Sequence, residues 1–251
     1  EATDRLCSKR FHPFLPELTG ILKKKGELSL TEEIETQLCR MSPSTIDRIL
    51  RRWRVSGLHR GLSTTKPGIL LKNAIPVRTF SEWNEKQPGF LEADLVAHCG
   101  DSAEGFYLTT LSTVDVATGW CEPVAVWGKG QERVGGAIHH VRERLPMPLL
   151  GLDSDNGSEF INHGLYDYCQ RWSITFTRAR SYKKNDSCHV EQKNWVVVRR
   201  VIGYQRFSSK AAFKALDDIY TLLRLYINFF QPVLKLVGKT RHGAKVHKVY
   251  D

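Results

Sequence analysis

The tightest constraint on this chain's fold lies between residues 90 and 203, where the spacing of apolar residues switches between a period of two and a helical period. "FLEADLVAH" (90–98) sets Leu91, Ala93 and Leu95 against Glu92, Asp94 and Val96, the alternation of a strand. "GFYLTTLSTVDV" and "WCEPVAVW" read as two further strands joined across Ala117, Thr118 and Gly119, so the first three strands make an antiparallel meander. Val134, Ile138, Val141 and Leu145 then share a helical face, and "PLLGLD" is a short buried strand. Ile161, Leu165, Tyr168, Cys169 and Trp172 mark a second helix, and "SITFTR" a fifth strand. Val190, Val197, Val198 and Val201 mark a helix from about 186 to 202. The order β-β-β-α-β-α-β-α requires an α/β architecture, a mixed sheet flanked by helices.

The flanks read differently. Over residues 1–57, Leu18, Ile21 and Leu22 lead into "KKKG", and Ile34, Leu38 and Met41 recur at helical spacing behind a Ser29-x-x-Glu32 capping box. In "MSPSTIDRILRRWR", Ser42 is the N-cap and Pro43 the first helical residue. Ile46, Ile49, Leu50 and Trp53 form the apolar stripe, and Gly57 closes the helix. Two short helices joined by a tight turn, the second with Ser44, Arg48, Arg51 and Arg54 available on its outer face, fit a small all-α helix-turn-helix domain. An ordinary helical hairpin with a solvated basic face is the plainer reading. Residues 58–89, with their prolines, glycines and Ser-Thr-Thr cluster, read as a linker, and 90–203 as the core. Residues 204–251 read as a final amphipathic helix, "KAAFKALDDIYTLLRLYINFF", and a basic tail. The aromatic run "YINFFQP" is assigned to core packing rather than to base stacking.

Charge is distributed in blocks. Residues 1–72 carry 14 Lys/Arg against 8 Asp/Glu, residues 73–198 carry 12 against 16, and residues 199–251 carry 11 against 3. Basic ends around an acidic middle suit a polyanion gripped from both sides of a carboxylate-bearing centre. The six cysteines show no C-x-x-C and no paired histidine spacing, which argues against a zinc module and a disulfide framework and for free thiols. A soft-metal site from His98, Cys99, Cys188 and His189 lacks any known spacing pattern. No apolar run reaches membrane-spanning length and the start lacks a secretory apolar segment, so a cytoplasmic protein without membrane contact is expected. The chain starts without Met, as a piece of a longer protein would.

Phosphodiester chemistry without an organic cofactor commonly uses two divalent ions about 4 Å apart, held by acidic residues converging from separate elements. Asp94 in the first strand, Asp155 just past "PLLGLD" and Glu191 in the helix after "SYKKND" are placed to converge, with 35 residues between the last two. Spacing alone is weak, since roughly two or three acidic pairs at that separation arise by chance in such a chain. Asp101, Asp115 and Glu122 are read as turn or surface residues of the meander.

The element order is that of a ribonuclease-H-like fold. "LEADLVAH", "SDNGSEF" and "NDSCHVEQKN" together resemble the catalytic core of the integrase and transposase superfamily that includes retroviral integrases. The nearer likeness is to bacterial insertion-sequence transposases with an N-terminal helix-turn-helix. It covers residues 88–203 strongly and the N-terminal segment loosely. The resemblance implies a catalytic, metal-binding triad of Asp94, Asp155 and Glu191 holding two Mg2+ or Mn2+ ions. It further implies DNA ends and target DNA as partners, and assembly of several copies of the chain on DNA. In the family the catalytic aspartate immediately precedes the Asn-Gly pair, which selects Asp155 over Asp153. Asn156 and Gly157 are then the turn, with Ser158 or Glu159 starting the next helix. Retroviral relatives place lysines one and two turns beyond the glutamate. This chain has Trp195 and Val198 there, leaving Lys183, Lys184 and Lys193 as substitutes, while Asn194 matches a polar position three residues after the glutamate. The expected activity is metal-dependent DNA cleavage and strand transfer. The alternatives are a ribonuclease-H-like nuclease and an inert DNA-binding regulator derived from a transposase.

Overall fold

Alternating apolar residues build the centre of the molecule. In the computed structural model, β1 (Phe90–Ala97), β2 (Thr109–Asp115) and β3 (Cys121–Val126) form the expected antiparallel meander. The Asp115 carboxylate fixes its second turn by accepting from Thr118 N and Thr118 Oγ1, both at 2.7 Å. Gly119 follows at φ 76°, where a side chain would be strained. The carboxylate also accepts from Gly89 N, at 2.7 Å, and so ties the start of β1 to the turn.

Helix α4 (Gln131–Arg144) carries the chain back so that β4 (Gly151–Ser154) joins β1 in parallel. Helix α5 (His163–Arg171) returns it again for β5 (Thr175–Arg178), parallel to β4. The order β3-β2-β1-β4-β5 gives a mixed sheet flanked by helices, the ribonuclease-H-like architecture expected from the element order. The described residues are 6–51, 74–78, 87–180, 184–233, 236–242 and 245–250. They fall into two compact units, Glu1–Leu58 with Pro232–Asp251, and His59–Gln231.

Both faces of the sheet are covered. On one, Leu91, Ala93, Leu111, Leu152 and Phe176 pack with Val134, Ile138 and Val141 of α4 and Leu165 and Cys169 of α5. On the other, Val96 and Cys121 pack with Val197, Val198 and Ile227, while Leu108 and Ala125 pack with Leu216 and Tyr220. At about 1.5–3 kcal/mol per buried large apolar side chain, these two layers dominate the favourable side of folding.

Several expectations change on this scaffold. The single helix expected from 186 to 202 is a 3-10 turn Lys184–Ser187, then α6 (Cys188–Lys193), then a π-helical turn Asn194–Arg199. The wider turn accompanies the burial of two consecutive residues, Val197 and Val198, against the sheet. Residues 75–78 of the expected linker join the core unit. Ile75 is buried, and the exposed Val77 bridges to Arg178 at the end of β5, because the burial of Ile75 and this backbone pairing outweigh the loop-like composition around them. The rest of 58–89, apart from Ala74 and residues 87–89, lies outside the described residues. Helix α7 (Lys210–Phe229) packs on β3, and Asn228 bonds both ways to the Cys121 backbone at 2.9 Å, so this helix belongs to the core unit rather than to the tail. The tail itself forms a hairpin, β6 (Leu236–His242) with β7 (Lys245–Tyr250). "YINFFQP" is only partly core. Ile227 is buried, but Phe229 and Phe230 are 65% and 74% exposed, since they lie off the face that α7 turns to the sheet.

In the other unit α1 (Ser8–Lys24), α2 (Glu32–Cys39) and α3 (Pro43–Leu50) bury Leu15 and Ile46. Ser8 Oγ donates to Asp47 Oδ2 at 2.6 Å across α1 and α3. Ser42 caps α3 as its sequence predicts, accepting from Thr45 N at 3.2 Å. The cap of α2 is Thr31 rather than Ser29, because Glu32 is already the first helical residue. Trp53 and Gly57 lie outside the described residues.

Glu122 is not the surface residue expected. It is fully buried in β3, where its carboxylate accepts two bonds from Arg224 at 2.7 Å and one from Trp120 Nε1 at 2.9 Å, with Arg144 at 3.2 Å. The cluster joins the sheet to α4 and α7. Glu122→Ala leaves two guanidinium groups without their shared anion and should destabilise the chain by about 3–5 kcal/mol, read as a lower urea midpoint at unchanged slope.

Candidate active site

Two parallel strands bring the first pair of carboxylates together. The register runs Phe90↔Gly151 to Ala93↔Ser154, so the next residues on the two strands are Asp94 and Asp155. β1 continues because β2 still pairs with it, opposing Asp94 to Ser112, whereas β4 ends at Ser154. Asp155 enters a turn in which its Oδ1 accepts from Gly157 N at 2.9 Å. Asn156 ties that turn to β5, donating to Ala179 O at 2.7 Å and accepting from Arg178 Nη1 at 3.1 Å. At Gly157 a Cβ would sit 2.6 Å from Cδ of Glu159, so any larger residue would displace the Glu159 carboxyl. The helix does not start at Ser158 or Glu159. It starts at His163, where the Asn162 side chain accepts from Leu165 N, because Glu159, Phe160 and Ile161 are drawn into the core first.

Asp94 Oδ1 accepts from Leu95 N at 2.8 Å and Oδ2 from Asn194 Nδ2 at 2.7 Å. Glu191 stands exposed on α6, near enough for its charge to act on Asp94. Burial, then the Asp155 charge and more weakly that of Glu191, push the Asp94 carboxyl up to about 7 against the two hydrogen bonds it accepts. The three residues proposed from sequence therefore share one electrostatic environment, supplied by β1, the end of β4 and α6.

A second acidic row lies behind the first. Glu92 and Asp153 are register partners, each two residues before Asp94 and Asp155 and hence on the same sheet face. Both are buried. Glu92 Oε2 accepts from Val190 N at 2.8 Å, and Asp153 Oδ1 accepts from Thr177 Oγ1. Glu92 Oε1 and Asp153 Oδ2 are buried without a hydrogen-bond partner among the described residues. Burial, reinforced by the Asp153 and Glu191 charges, pushes Glu92 up to about 8, and burial pushes Asp153 up to about 7 against the Thr177 hydrogen bond and the Arg78 charge. Sequence reasoning missed Glu92 as part of this site. The Glu92-x-Asp94 alternation was the signal that could have found it. Glu159 was also missed; burial, and then Asp155, raise its carboxyl.

The candidate DNA contacts divide. Ser44, Arg48 and Arg51 are exposed on or just after α3, while Arg54 and Lys183 lie outside the described residues, as does the side chain of Lys184. Lys193 is a correction. It is 8% exposed and its charge acts on the Cys121 thiol, because α6 turns that face to the sheet, so it does not project outward to meet DNA. Val198 is core, whereas Trp195 is half exposed a turn beyond Glu191.

Among the described residues no three His, Cys, Asp or Glu side chains form a ready-made metal cluster, and no soft-metal site appears around His98, whose Nε2 pairs with Thr110 Oγ1 at 2.7 Å. The donors nonetheless fit a hard divalent ion that completes its shell with water. Asp94, Asp155 and Glu191 offer carboxylate oxygens, and Asn194 Oδ1, beside Asp94, is buried with no partner, the kind of oxygen that an ion-bound water satisfies.

No family model matches the chain. Among curated proteins it is 42% identical over 252 residues to "Uncharacterized protein y4rM" of Sinorhizobium fredii, covering 100% of this chain and 71% of that protein. Similar solved structures include the catalytic core domain of BIV integrase, at 18% identity and TM-score 0.44, covering 58% of this chain and 86% of that one. The HTLV-2 integrase catalytic core in complex with magnesium matches at 14% identity and TM-score 0.43, over 59% of this chain and 90% of that one. A chain of the simian T-cell lymphotropic virus intasome matches at 13% identity and TM-score 0.48, over 87% of this chain and 70% of that one.

Asp153 is a buried carboxyl whose Oδ2 has no hydrogen-bond partner among the described residues, and the Arg78 charge that acts on it is outweighed by the penalty of burial. Asp153→Asn keeps an acceptor for Thr177 and removes the ionisable group, so it should leave the fold intact and raise the thermal midpoint by roughly 2–4 °C in a metal-free melt at a pH above about 7. A lowered midpoint would mean that Arg78 matches the charge.

Proposed function

Starting from the fact that this chain belongs to the family of the Sinorhizobium fredii protein y4rM, we propose that it is a metal-dependent DNA strand transferase of the transposase and integrase type. The observation that carries this reading is the β1–β4 register, which sets Asp94 beside Asp155 under the charge of Glu191. Asp94, Asp155 and Glu191 would hold the divalent ions. When bound, such ions supply the charge that activates an attacking oxygen and stabilises the leaving one. The protein's own part is positional. Asn194 orients Asp94, Gly157 N orients Asp155, and α6, packed on β1 and β2, carries Glu191. The substrates are the ends of a mobile DNA element and a target duplex, and several copies of the chain assemble on paired ends. The site of action is the cytoplasm.

Asp94→Asn, Asp155→Asn and Glu191→Gln each remove a metal-binding charge at nearly constant shape. Each should reduce transfer of a labelled DNA end into a plasmid by at least about 10³-fold while the circular dichroism spectrum stays native. Ca2+ should support DNA binding without turnover. A variant that transfers strands at the wild-type rate takes that residue out of the mechanism, and cleavage without any joined product favours a plain nuclease.

Helix α3 is the proposed reader of the element ends, supported by the exposed Ser44, Arg48 and Arg51. Replacing Arg48 and Arg51 by Ala in the full chain should weaken binding to end DNA by roughly 1–3 kcal/mol for each arginine that reads a base, with a shallower salt dependence. Equal losses on end and random DNA would reduce both arginines to phosphate contacts.

A further inference from the structure

Helix α6 starts without a cap of its own. Ser187 occupies the N-cap position, yet its side chain makes no capping bond. The acidic side chain just before it, Asp186, accepts three bonds from Arg180, two from the guanidinium at 2.7 and 2.9 Å and one from the backbone N–H at 3.2 Å. The opening N–H groups of a helix have no partner within it, and here Cys188 and His189 are half-buried while Val190, the third helical residue, is fully enclosed. A buried N–H without an acceptor would be costly. The acceptor comes from the sheet: Glu92 Oε2 takes the Val190 N–H at 2.8 Å. The third helical N–H is one that an N-cap side chain ordinarily serves.

We propose that Glu92 is a positioning residue, capping α6 from the neighbouring strand and so fixing where Glu191 stands relative to Asp94. Glu92 lies two residues before Asp94 on the same face of β1, and Val190 immediately precedes Glu191, so one bond links the carriers of two candidate ligands. The His189 backbone N–H also acts on the Glu92 carboxyl, while the His189 ring Nε2 stays 4.0 Å from Glu92 Oε1, beyond hydrogen-bond range. The link to catalysis rests on the reading of Asp94 and Glu191 given above. The cap itself does not.

The test is amide hydrogen exchange on the full chain without DNA or added metal. Glu92→Met preserves volume and removes the acceptor, so the Val190 amide should exchange roughly 5- to 10-fold faster, as for a missing cap, while the Leu111 amide in β2 keeps its rate. Glu92→Gln retains a carbonyl oxygen and should hold Val190 within about 3-fold of wild type. Unchanged Val190 exchange in the Met variant, or equal acceleration in both variants, overturns the proposal. Should the Met variant not fold, the Gln variant decides, with wild-type protection of Val190 supporting the cap and a loss beyond about 10-fold overturning it. In the strand-transfer assay the Met variant should lower kcat at unchanged KM for DNA, and Gln should restore it. A cap that passes the exchange test in a chain that transfers no strands would fault the proposed function alone.

Discussion

Parallel pairing of β4 with β1 is the interaction on which the rest of the core depends. It can form only after α4 has carried the chain back along the sheet, and its register has no slack, since a slip of one residue would turn every side chain of β4 to the other face. In the observed register Leu91 and Leu152 meet in the apolar layer beneath α4 and α5. The same register lines Glu92 up with Asp153, and brings Asp94 to Asp155 where the pairing ends. One pairing thus builds the core on one face and two acidic rows on the other.

The fold treats its buried carboxylates in two ways. Glu122 is surrounded by two guanidinium groups and an indole N–H, and it ties β3 to the helices on both sides of the sheet. Glu92 and Asp153, also buried, each leave one oxygen without a hydrogen-bond partner among the described residues; Glu92 lies close to further negative charge, while Asp153 has Arg78 acting against Asp186. The first arrangement stabilises. The second is unfavourable in the bare protein, and concentrations of uncompensated charge of this kind are characteristic of sites that bind a counter-charge. Glu92 offsets part of its cost by serving as acceptor for the first turn of α6.

Much of the core was legible because its signals are local. The alternation in "FLEADLVAH", the helical stripe of Val134, Ile138 and Val141, the Asp115 turn closed by Gly119 and the Ser42 cap each involve neighbours in sequence, and each appears where its residues predict. The errors share a different cause. Thr31 displaced Ser29 as a cap by the choice of one helical start, Lys193 points inward because α6 lies on the sheet, and Phe229 stays outside because α7 presents another face. The hairpin of the basic tail had no turn signal strong enough to announce it.

The sequence by itself determined the elements, their order and which residues could supply carboxylates at a strand centre, a strand end and a helix, because periodicity and turn chemistry act over a few residues. It could not say that Glu92 and Asp153 stand shoulder to shoulder, that Ile75 joins the core, or that α6 takes its cap from β1. Those facts rest on hydrogen bonds and apolar contacts between residues up to about a hundred positions apart, such as Glu92 with Val190 and Ile75 with Arg178. Only the packed sheet brings such residues within reach, since no local pattern encodes which distant strand or helix will lie alongside.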